Sequence, residues 1–250
     1  MKKSENKVAI ITGGSKGIGR AIAERLALEG INLVLNYSND TKAAEQAVES
    51  IKTLGVDAIA IKADVQKKTD IENLFNQAMV HFGRIDIVIA NAGMELVNVP
   101  MVDYTEEQYD KLFGINTKGT FFTLQQAAKH INDNGRIIVV SSSTTVYINP
   151  GFALYGGSKT APKYFVEVLS KELGHRGVTV NSVIPGAIDE AGIFAEMPAD
   201  SPYKKEIIDA TPLGRMGLPK DVADVVSMVI SEKASFITGH HFMANGGAKI

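Results

Sequence analysis

The sequence predicts an α/β fold in which one seven-stranded parallel sheet carries helices on both faces. Short runs rich in β-branched residues alternate with longer amphipathic stretches, which is the pattern of repeated strand-helix-strand units. The 250 residues and 45% hydrophobic content suffice for one core, and no stretch rich in Pro, Gly or Ser divides the chain. We therefore expect a single domain over residues 1–250.

The strands are expected where short apolar runs end in turn residues. Seven segments meet this description, and they span 7–12, 31–37, 57–62, 85–90, 136–142, 179–184 and 236–243. Long apolar runs without strict alternation are typical of parallel strands that are buried on both faces. The helices that connect such strands must then cover both faces of the sheet.

The clearest helix lies between the third and fourth strands. Its apolar residues recur at helical spacing and form one buried face, consisting of Ile71, Leu74, Phe75, Ala78, Met79 and Phe82. We expect Thr69 or Asp70 to cap its start and Gly83 to end it.

Three further helix starts carry recognisable signals. Asp40 is the expected cap of a helix over 41–54. Thr105, with Gln108 three residues later, forms a capping-box pattern, and Pro219 is suited to a first helical position.

One segment interrupts the alternation of strands and helices. Residues 185–212 contain Pro198, Pro202 and several acids, and we expect them to be irregular. A long irregular segment in a compact domain is usually a lid or a binding loop, although a surface insertion is the alternative. We expect a substrate lid over 188–212.

Composition excludes several classes of function. Lys and Arg number 26 against 28 Asp and Glu, so the net charge of -2 gives no general attraction to nucleic acid or to an anionic membrane. The chain has no cysteine, which excludes disulfides, thiolate nucleophiles and cysteine-bound metals. His240 and His241 are adjacent and would point to opposite faces of a strand, so we expect no metal site. No signal peptide or membrane span is evident, and we expect a cytoplasmic protein that acts on a small molecule.

A glycine-rich turn follows the first strand. Residues 12–19 read Thr-Gly-Gly-Ser-Lys-Gly-Ile-Gly and lead into a helical pattern. In this context glycines let the backbone approach a pyrophosphate, which the helix N-terminus attracts. A mononucleotide phosphate loop would need Gly-Lys followed by Ser or Thr, and Lys16-Gly17-Ile18 lacks that order. The turn therefore predicts a Rossmann-like, doubly wound domain that binds a dinucleotide.

The end of the second strand bears on which dinucleotide is bound. NAD-binding chains usually carry an acidic residue there for the ribose 2'-hydroxyl. No Asp or Glu lies between Glu29 and Asp40, and this stretch includes Asn36, Tyr37 and Ser38. Lys16 with Asn36 and Ser38 could bind a 2'-phosphate. We expect NADP(H) to be preferred, with NAD(H) possible.

Three side chains suggest the chemistry. Tyr155 and Lys159 are four residues apart in a segment with a helical pattern, and Ser142 ends the fifth strand, where parallel sheets place their ligands. A ketone reductase needs a proton donor near the carbonyl oxygen. We expect Tyr155 to be this donor, with its pKa lowered by Lys159 and by a cationic nicotinamide.

With the glycine-rich turn, these residues identify a resemblance to the short-chain dehydrogenase/reductase family over essentially the whole chain. Residues 12–19 match its cofactor turn, and the other motifs are Asp64-Val65, Asn91-Ala92-Gly93, Asn116, and Pro185-Gly186. The catalytic set that the resemblance implies is Asn116, Ser142, Tyr155 and Lys159. The cofactor-binding residues implied by the turn and the resemblance together are Gly13, Ser15, Lys16, Gly17, Ile18, Gly19, Asn36, Tyr37, Ser38, Asp64, Val65, Asn91, Ala92, Gly93, Tyr155, Lys159, Pro185, Gly186 and Ile188.

The resemblance also implies roles for these residues. Ser142 would orient the carbonyl, Lys159 would bind the nicotinamide ribose, and Asn116 would hold a water that relays protons. Four features depart from the family pattern: Ala90, Gly156-Gly157, Glu190 in place of a carboxamide-binding threonine, and Asn245 in place of an aspartate. The backbone near Ile188 could replace the threonine.

The substrate is less constrained by the sequence. The residues expected around it are mostly apolar and favour a ketone with hydrophobic or aromatic bulk, and they are Met94, Leu96, Val97, Thr144, Tyr147, Ile148, Ile193, Phe194 and Met197. A 3-oxoacyl-carrier-protein reductase, docking through Lys129, Lys171 and Arg176, and a sugar or polyol dehydrogenase using NAD(H) remain open. A nucleotide-sugar epimerase and a non-catalytic NADP-binding sensor fit less well. The resemblance implies a homotetramer joined through helices near 105–130 and 155–175 and through the last strand.

Overall fold

The computed structural model describes residues 7–248 and contains one sheet of seven parallel strands. The strands are β1 (Val8–Ile11), β2 (Asn32–Tyr37), β3 (Ala58–Lys62), β4 (Ile87–Ala90), β5 (Arg136–Val140), β6 (Thr179–Pro185) and β7 (His241–Ala244). Their order across the sheet is β3-β2-β1-β4-β5-β6-β7. The predicted fold class and single domain are therefore confirmed.

The helices lie between the strands, as the alternating pattern predicts. They are α1 (Gly17–Leu28), α2 (Thr41–Lys52), α3 (Lys68–Phe82), α4 (Glu106–Phe113), α5 (Thr120–His130), α6 (Ala153–Leu173), α7 (Pro202–Ala210) and α8 (Pro219–Ile230). Asp40 caps α2 by accepting from Ala43 N at 3.0 Å, and Thr105 and Gln108 form the expected capping box.

Two predicted boundaries are wrong. α3 begins at Lys68, so Thr69 and Asp70 lie in its first turn, and the Asp70 carboxylate accepts instead from Asp64 N at 3.0 Å. The last strand begins at His241 and not at residue 236. Gly239, at φ +73°, bends the chain just before this strand and prevents an earlier start.

Alternate residues of the strands face two separate apolar layers. Ala9 and Ile11 of β1 pack in one layer with residues of α1, α2 and α8. Val8 and Ile10 pack in the other with residues of α3, α5 and α6. Burial on both faces explains why the strand sequences are continuously apolar.

The order of the strands fixes where a ligand can bind. The sheet grows from β1 toward β3 in one direction and from β4 toward β7 in the other. The loops after β1 and β4 therefore diverge to opposite faces and leave a crevice at their carboxyl ends. The loops that follow β5 and β6 continue the same edge.

The segment after β6 is more regular than predicted. It contains a 3-10 turn at Gly192–Phe194 and the helix α7, and Pro202 is the first residue of that helix. Proline favours this position because its missing N–H has no partner there in any helix. Among residues 7–248, no helix has both the length and the apolar character that crossing a membrane requires.

Candidate active site

The turn after β1 is shaped for close approach of a charged ligand. Gly13 and Gly17 have φ values of +63° and +53°, and a Cβ on Gly19 would overlap the Gly13 carbonyl oxygen. α1 begins at Gly17, its N-cap residue Lys16 makes no side-chain cap, and its first turn holds no acid. The first N–H groups of α1 therefore remain available to an anion, and the turn fits a pyrophosphate.

Side chains from β4 hold this turn in place. Asn91 Nδ2 donates to Thr12 O at 3.0 Å and to Gly13 O at 3.2 Å. The Thr12 hydroxyl oxygen accepts from the backbone N–H groups of Asn91 and Ala92, each at 3.0 Å. Thr12 and Asn91 thus join the two loops that border the crevice.

Asn36 braces the turn and does not face outward. It is 2% exposed, and its Oδ1 accepts from Gly13 N at 3.2 Å. Its Nδ2 donates to Ala63 O at 2.8 Å and to Tyr37 O at 3.3 Å. Both donor hydrogens and the acceptor are engaged within the protein, which corrects the expectation that Asn36 binds a 2'-phosphate directly.

The other residues expected near the adenosine lie at the rim of the crevice. Lys16 and Ser38 are exposed, and Tyr37 is half-buried beside them. Asp64, after β3, accepts from Gln66 N at 3.0 Å. The remaining members have more enclosed positions: Ser15 and Val65 are buried, and Ile18 packs against the core.

Tyr155 and Lys159 lie on α6, one turn apart, and both are buried. Lys159 Nζ donates to Val140 O at the end of β5 at 3.2 Å. Burial lowers the pKa of Lys159 to about 8, and the charge of Glu95 partly opposes this shift.

The protein's own groups raise the pKa of Tyr155, whereas the expected lowering invokes a cationic nicotinamide together with Lys159 and stays a prediction. Burial raises the pKa of this phenol well above its ordinary value, and the Glu95 carboxylate raises it further, whereas a hydrogen bond with Ser142 lowers it. Because burial disfavours the phenolate, Tyr155 is held in its protonated form.

Ser142 follows β5 and borders the same cleft as Tyr155. Its Oγ accepts from Thr144 N at 3.3 Å and from Thr144 Oγ1 at 3.0 Å. Both contacts use acceptor lone pairs of the hydroxyl, so its hydrogen can be donated to the Tyr155 phenol oxygen, which agrees with the lowering effect of Ser142 on the Tyr155 pKa.

Asn116 lies in a π-helical segment, Gly114–Gly119, between α4 and α5. Its Oδ1 accepts from Met94 N at 2.8 Å, and its Nδ2 donates to Met94 O at 2.9 Å and to Ser158 Oγ at 2.9 Å. The side chain therefore fastens the loop after β4 to α6. Both hydrogens of Asn116 Nδ2 are engaged, so the side chain has no free donor for the water that it is predicted to hold.

Gly93 lies where the crevice meets two of the predicted catalytic residues. A Cβ on Gly93 would lie 2.9 Å from Lys159 Nζ and 3.4 Å from Asn116 Oδ1. A glycine is needed here because any side chain would displace the lysine ammonium.

The loop after β6 closes the end of the crevice where the family resemblance implies the nicotinamide. A Cβ on Gly186 would lie 2.8 Å from Asn245 Cβ, and Asn245 itself accepts from Gly247 N at 3.2 Å. Ile188 pairs with Gly217 as a parallel bridge, in which the hydrogen bonds to Gly217 come from Ala187 and Asp189 on either side of Ile188. The N–H and C=O of Ile188 itself therefore point away from Gly217. Glu190 is exposed, with φ +59°.

A cleft of about 310 Å³ opens beside Ser142 and Tyr155. It is bordered by the loops after β4, β5 and β6 and by α7. Its lining residues are Glu95, Val97, Asn98, Ser142, Ser143, Thr144, Asn149, Phe152, Tyr155, Gly186, Ala187, Ile193, Phe194, Tyr203, Glu206, Ile207 and Ala210.

The cleft agrees only in part with the residues expected around the substrate. Those that line it are Val97, Thr144, Ile193 and Phe194. Met94 and Leu96 instead pack with Tyr155, and Ile148 is 96% exposed. Met197 packs in the apolar cluster that contains Phe194, and neither Met197 nor Tyr147 lines the cleft.

Sequence reasoning missed Glu95. This residue follows the Asn91-Ala92-Gly93 motif by two positions, which gives no signal of its own. Its Oε2 accepts from Ile193 N at 3.0 Å, and its charge acts on both Tyr155 and Lys159. Only the contact across the cleft reveals it.

Comparison with known proteins supports the interpretation of the site. The chain matches the family model described as Enoyl-(Acyl carrier protein) reductase over residues 13–249. It is 41% identical over 256 residues to versicolorin reductase stcU of Emericella nidulans, covering 98% of this chain and 96% of that protein. It is 37% identical over 253 residues to a hydroxynaphthalene reductase-like protein, Arp2, of Metarhizium brunneum, covering 97% and 94%.

A solved structure extends the similarity to three dimensions. The short chain dehydrogenase from Burkholderia cenocepacia J2315, determined in complex with NADP, superposes with a TM-score of 0.93 at 32% identity and with 100% of both chains covered. This identity across the whole length, with the parallel sheet and the grouping of Ser142, Tyr155 and Lys159, establishes that the chain is an oxidoreductase of the short-chain dehydrogenase/reductase family.

Proposed function

We propose that this protein is an NADP(H)-dependent oxidoreductase that interconverts a ketone and a secondary alcohol, with Tyr155 as the general acid and base. The observation that carries the proposal is the position of Tyr155 between an open cleft, bordered by Ser142, and the buried Lys159. A carbonyl oxygen in the cleft would meet two hydroxyl donors from opposite elements.

The residues around the crevice fit a nicotinamide cofactor. Gly93, Pro185, Gly186 and the backbone of Ile188 would hold the nicotinamide end, and Lys159 would bind its ribose. When bound, the cofactor supplies or accepts the hydride. A carbonyl oxygen in the cleft would accept the Ser142 hydrogen in place of the Tyr155 oxygen, so that Ser142 orients the carbonyl while Tyr155 transfers a proton to it. Burial and Glu95 keep the phenol in the protonated form that a general acid requires.

The test of the mechanism is Tyr155→Phe, which removes the transferable proton and little else. We expect ketone reduction to fall by about 100-fold or more, the range for loss of general acid catalysis, while NADPH binding persists. Tyr164→Phe is the matched control, because Tyr164 lies on the same helix and is 66% exposed. Unchanged turnover in Tyr155→Phe would refute the mechanism, as would an equal loss in the control. Absence of ketone reduction by the wild type, with NADPH still bound, would instead favour the non-catalytic NADP-binding sensor.

The preference for NADP(H) rests on the exposed Lys16 and Ser38 and on the absence of an acid at this rim between Glu29 and Asp40. The structural neighbour from Burkholderia cenocepacia was solved with NADP, which supports the same choice. Separate titrations should give tighter binding of NADPH than of NADH. Lys16→Ala should weaken NADPH binding and leave NADH binding nearly unchanged, because only the former has a 2'-phosphate. Equal affinities would favour the alternative of an NAD(H)-dependent sugar or polyol dehydrogenase.

The substrate we propose is a ketone with apolar or aromatic bulk, covered by a lid over 188–212. Phe152, Ile193, Phe194 and Ile207 supply apolar walls to the cleft. The similarity to a hydroxynaphthalene reductase-like protein supports an aromatic substrate. Within the proposed lid, buried Lys204 donates to Asp189 Oδ1 at 2.6 Å and to Met197 O at 2.8 Å, which ties the segment together.

Reduction of the 3-oxo group of an acyl-carrier thioester is the second candidate, and the match to a family model described as Enoyl-(Acyl carrier protein) reductase supports an acyl-carrier substrate. The basic docking face expected for it is weakened, since Arg176 is bound to Asp133 Oδ1 at 2.8 Å and to Ala128 O at 2.9 Å. Lys129 and Lys171 are exposed. Comparing an acetoacetyl thioester with an aryl ketone in the same assay separates the two candidates.

We also propose a homotetramer. Aromatic side chains are exposed on the helices expected at its interfaces, with Tyr109 at 49%, Phe121 at 43% and Tyr164 at 66% exposure. Phe121 and Phe165 border a groove of about 510 Å³ between these helices. Light scattering should give four times the chain mass, and Phe121→Asp should reduce the assembly.

A further inference from the structure

Glu95 connects the catalytic residues with the segment that covers them. Its carboxylate receives the Ile193 N–H at 3.0 Å, a contact between residues 98 positions apart in sequence. Ile193 belongs to the 3-10 turn Gly192–Phe194. On its other side, Glu95 acts on the Tyr155 phenol both through its charge and as a hydrogen-bond partner.

The turn that holds Glu95 is built around the carboxylate. Gly192 has φ +54°, and a Cβ there would overlap Glu95 Oε2. Ile193 N–H engages Oε2, so lone pairs on Oε1 remain for another donor. The carboxylate is therefore fixed in place before any substrate arrives.

The charged residues that line the cleft are all acidic. Among the described residues that line it, Glu95 and Glu206 are acidic and none is basic. Lys159 lies behind Tyr155 and is buried. A substrate carboxylate in the cleft would meet like charge, whereas a hydroxyl would meet an acceptor that is already oriented.

Glu95 acts on Tyr155, and Tyr155 in the proposed function meets the carbonyl oxygen. A substituent on the carbon next to the carbonyl would therefore lie within reach of Glu95. We propose that Glu95 is a specificity-determining residue, which selects aryl ketones carrying a hydroxyl on the carbon next to the carbonyl and disfavours those carrying a carboxylate there. The inference rests on the proposed ketone reduction and deepens it by naming the substrate class.

A matched series of substrates tests the proposal. α-Hydroxyacetophenone, propiophenone and benzoylacetate share an aryl ketone and differ only in the neighbouring group, which is a hydroxymethyl, an ethyl or a carboxymethyl. Their kcat/KM values are measured with NADPH for the wild type and for Glu95→Gln, Glu95→Leu and Glu206→Gln. Ratios between substrates in one variant cancel changes in stability or in the amount of active enzyme.

The expected ratios follow from the charge and the acceptor. In Glu95→Gln, the preference for hydroxyl over ethyl should fall by about tenfold, because a hydrogen bond to a charged group is stronger than one to a neutral group. The discrimination against the carboxylate should fall by a similar factor. Glu95→Leu has no acceptor at this position, so it should lose the hydroxyl preference that Glu95 provides and keep only the difference in intrinsic reactivity between the ketones. Glu206→Gln, the matched acid, should keep the hydroxyl preference within about twofold.

The outcomes distinguish this inference from the function on which it rests. If the wild type reduces the ketones, Tyr155→Phe does not, and both ratios survive in Glu95→Gln, the role of Glu95 is refuted while the proposed function stands. If Glu206→Gln changes the ratios and Glu95→Gln does not, the role is assigned to the wrong acid and is also refuted. If the wild type reduces none of the three ketones, the proposed function fails together with the inference.

Discussion

Replacing Asn36 with alanine distinguishes between two roles for a polar residue at the end of β2, contact with the cofactor and support of the glycine turn. The side chain is 2% exposed, and its Oδ1 accepts from Gly13 N at 3.2 Å while its Nδ2 donates to Ala63 O at 2.8 Å. Alanine leaves both backbone groups without these partners. Each unsatisfied buried group costs about 1–3 kcal/mol, so we expect Asn36→Ala to lower the free energy of unfolding by about 2–6 kcal/mol.

The assay is urea unfolding of the cofactor-free protein, followed by circular dichroism because the chain contains no tryptophan. Protein concentration is held constant, since association changes apparent stability. Asn39→Ala, at an exposed position in the same loop, is the control and should stay within about 0.5 kcal/mol of the wild type. Ser38→Ala should weaken NADPH binding without loss of stability. If Asn36→Ala weakens NADPH binding but leaves stability unchanged, Asn36 is a cofactor ligand and the bracing role is wrong.

Two further predictions concern α6. Burial lowers the pKa of Lys159 to about 8. Between pH 8 and 10 the folded protein has lost this proton while the unfolded chain still holds it, so the free energy of unfolding should rise with pH by about 2 kcal/mol. Urea unfolding at a series of pH values should show this rise in the wild type and not in Lys159→Met; an equal rise in both would contradict it. Gly157→Ala should stabilise the protein by about 0.5–1 kcal/mol in thermal unfolding, because its Cβ would meet only Phe113 Cζ at 3.7 Å. Gly156→Ala should gain less, since its Cβ would lie 3.2 Å from Thr144 O, and a larger gain there than at Gly157 would refute this reading of the two glycines.

The sequence predicts the sheet well because its signals are local. Continuous apolar runs, the glycine-rich turn and the capping pattern at Thr105 each depend on residues that are neighbours in the chain. The cap of α3 was misjudged because Lys67, Thr69 and Asp70 offer competing starts within one turn. Asp70 instead holds the backbone of Asp64, a contact that local preference does not reveal.

Parts of the candidate site could not be predicted because they depend on pairing across the fold. Asn36 looks the same in sequence whether it faces a ligand or the backbone of Gly13. Glu95 is one acid among 28 Asp and Glu, and its importance arises only where Ile193 approaches it. Burial raises the pKa of Tyr155, an effect that the spacing of Tyr155 and Lys159 in the sequence does not reveal.

The π-helical segment Gly114–Gly119 makes this part of the chain sensitive to its length as well as to its residues. Each residue of a helix turns the chain by about 100°. Deleting one residue here would restore a regular helix but rotate α4 relative to α5 by that angle. Either Asn116 would lose its hydrogen bond with Met94, or Leu124 would leave the apolar layer that contains Val8 and Ile10. Homologous chains are therefore expected to vary in sequence between α4 and α5 far more readily than in the number of residues they place there.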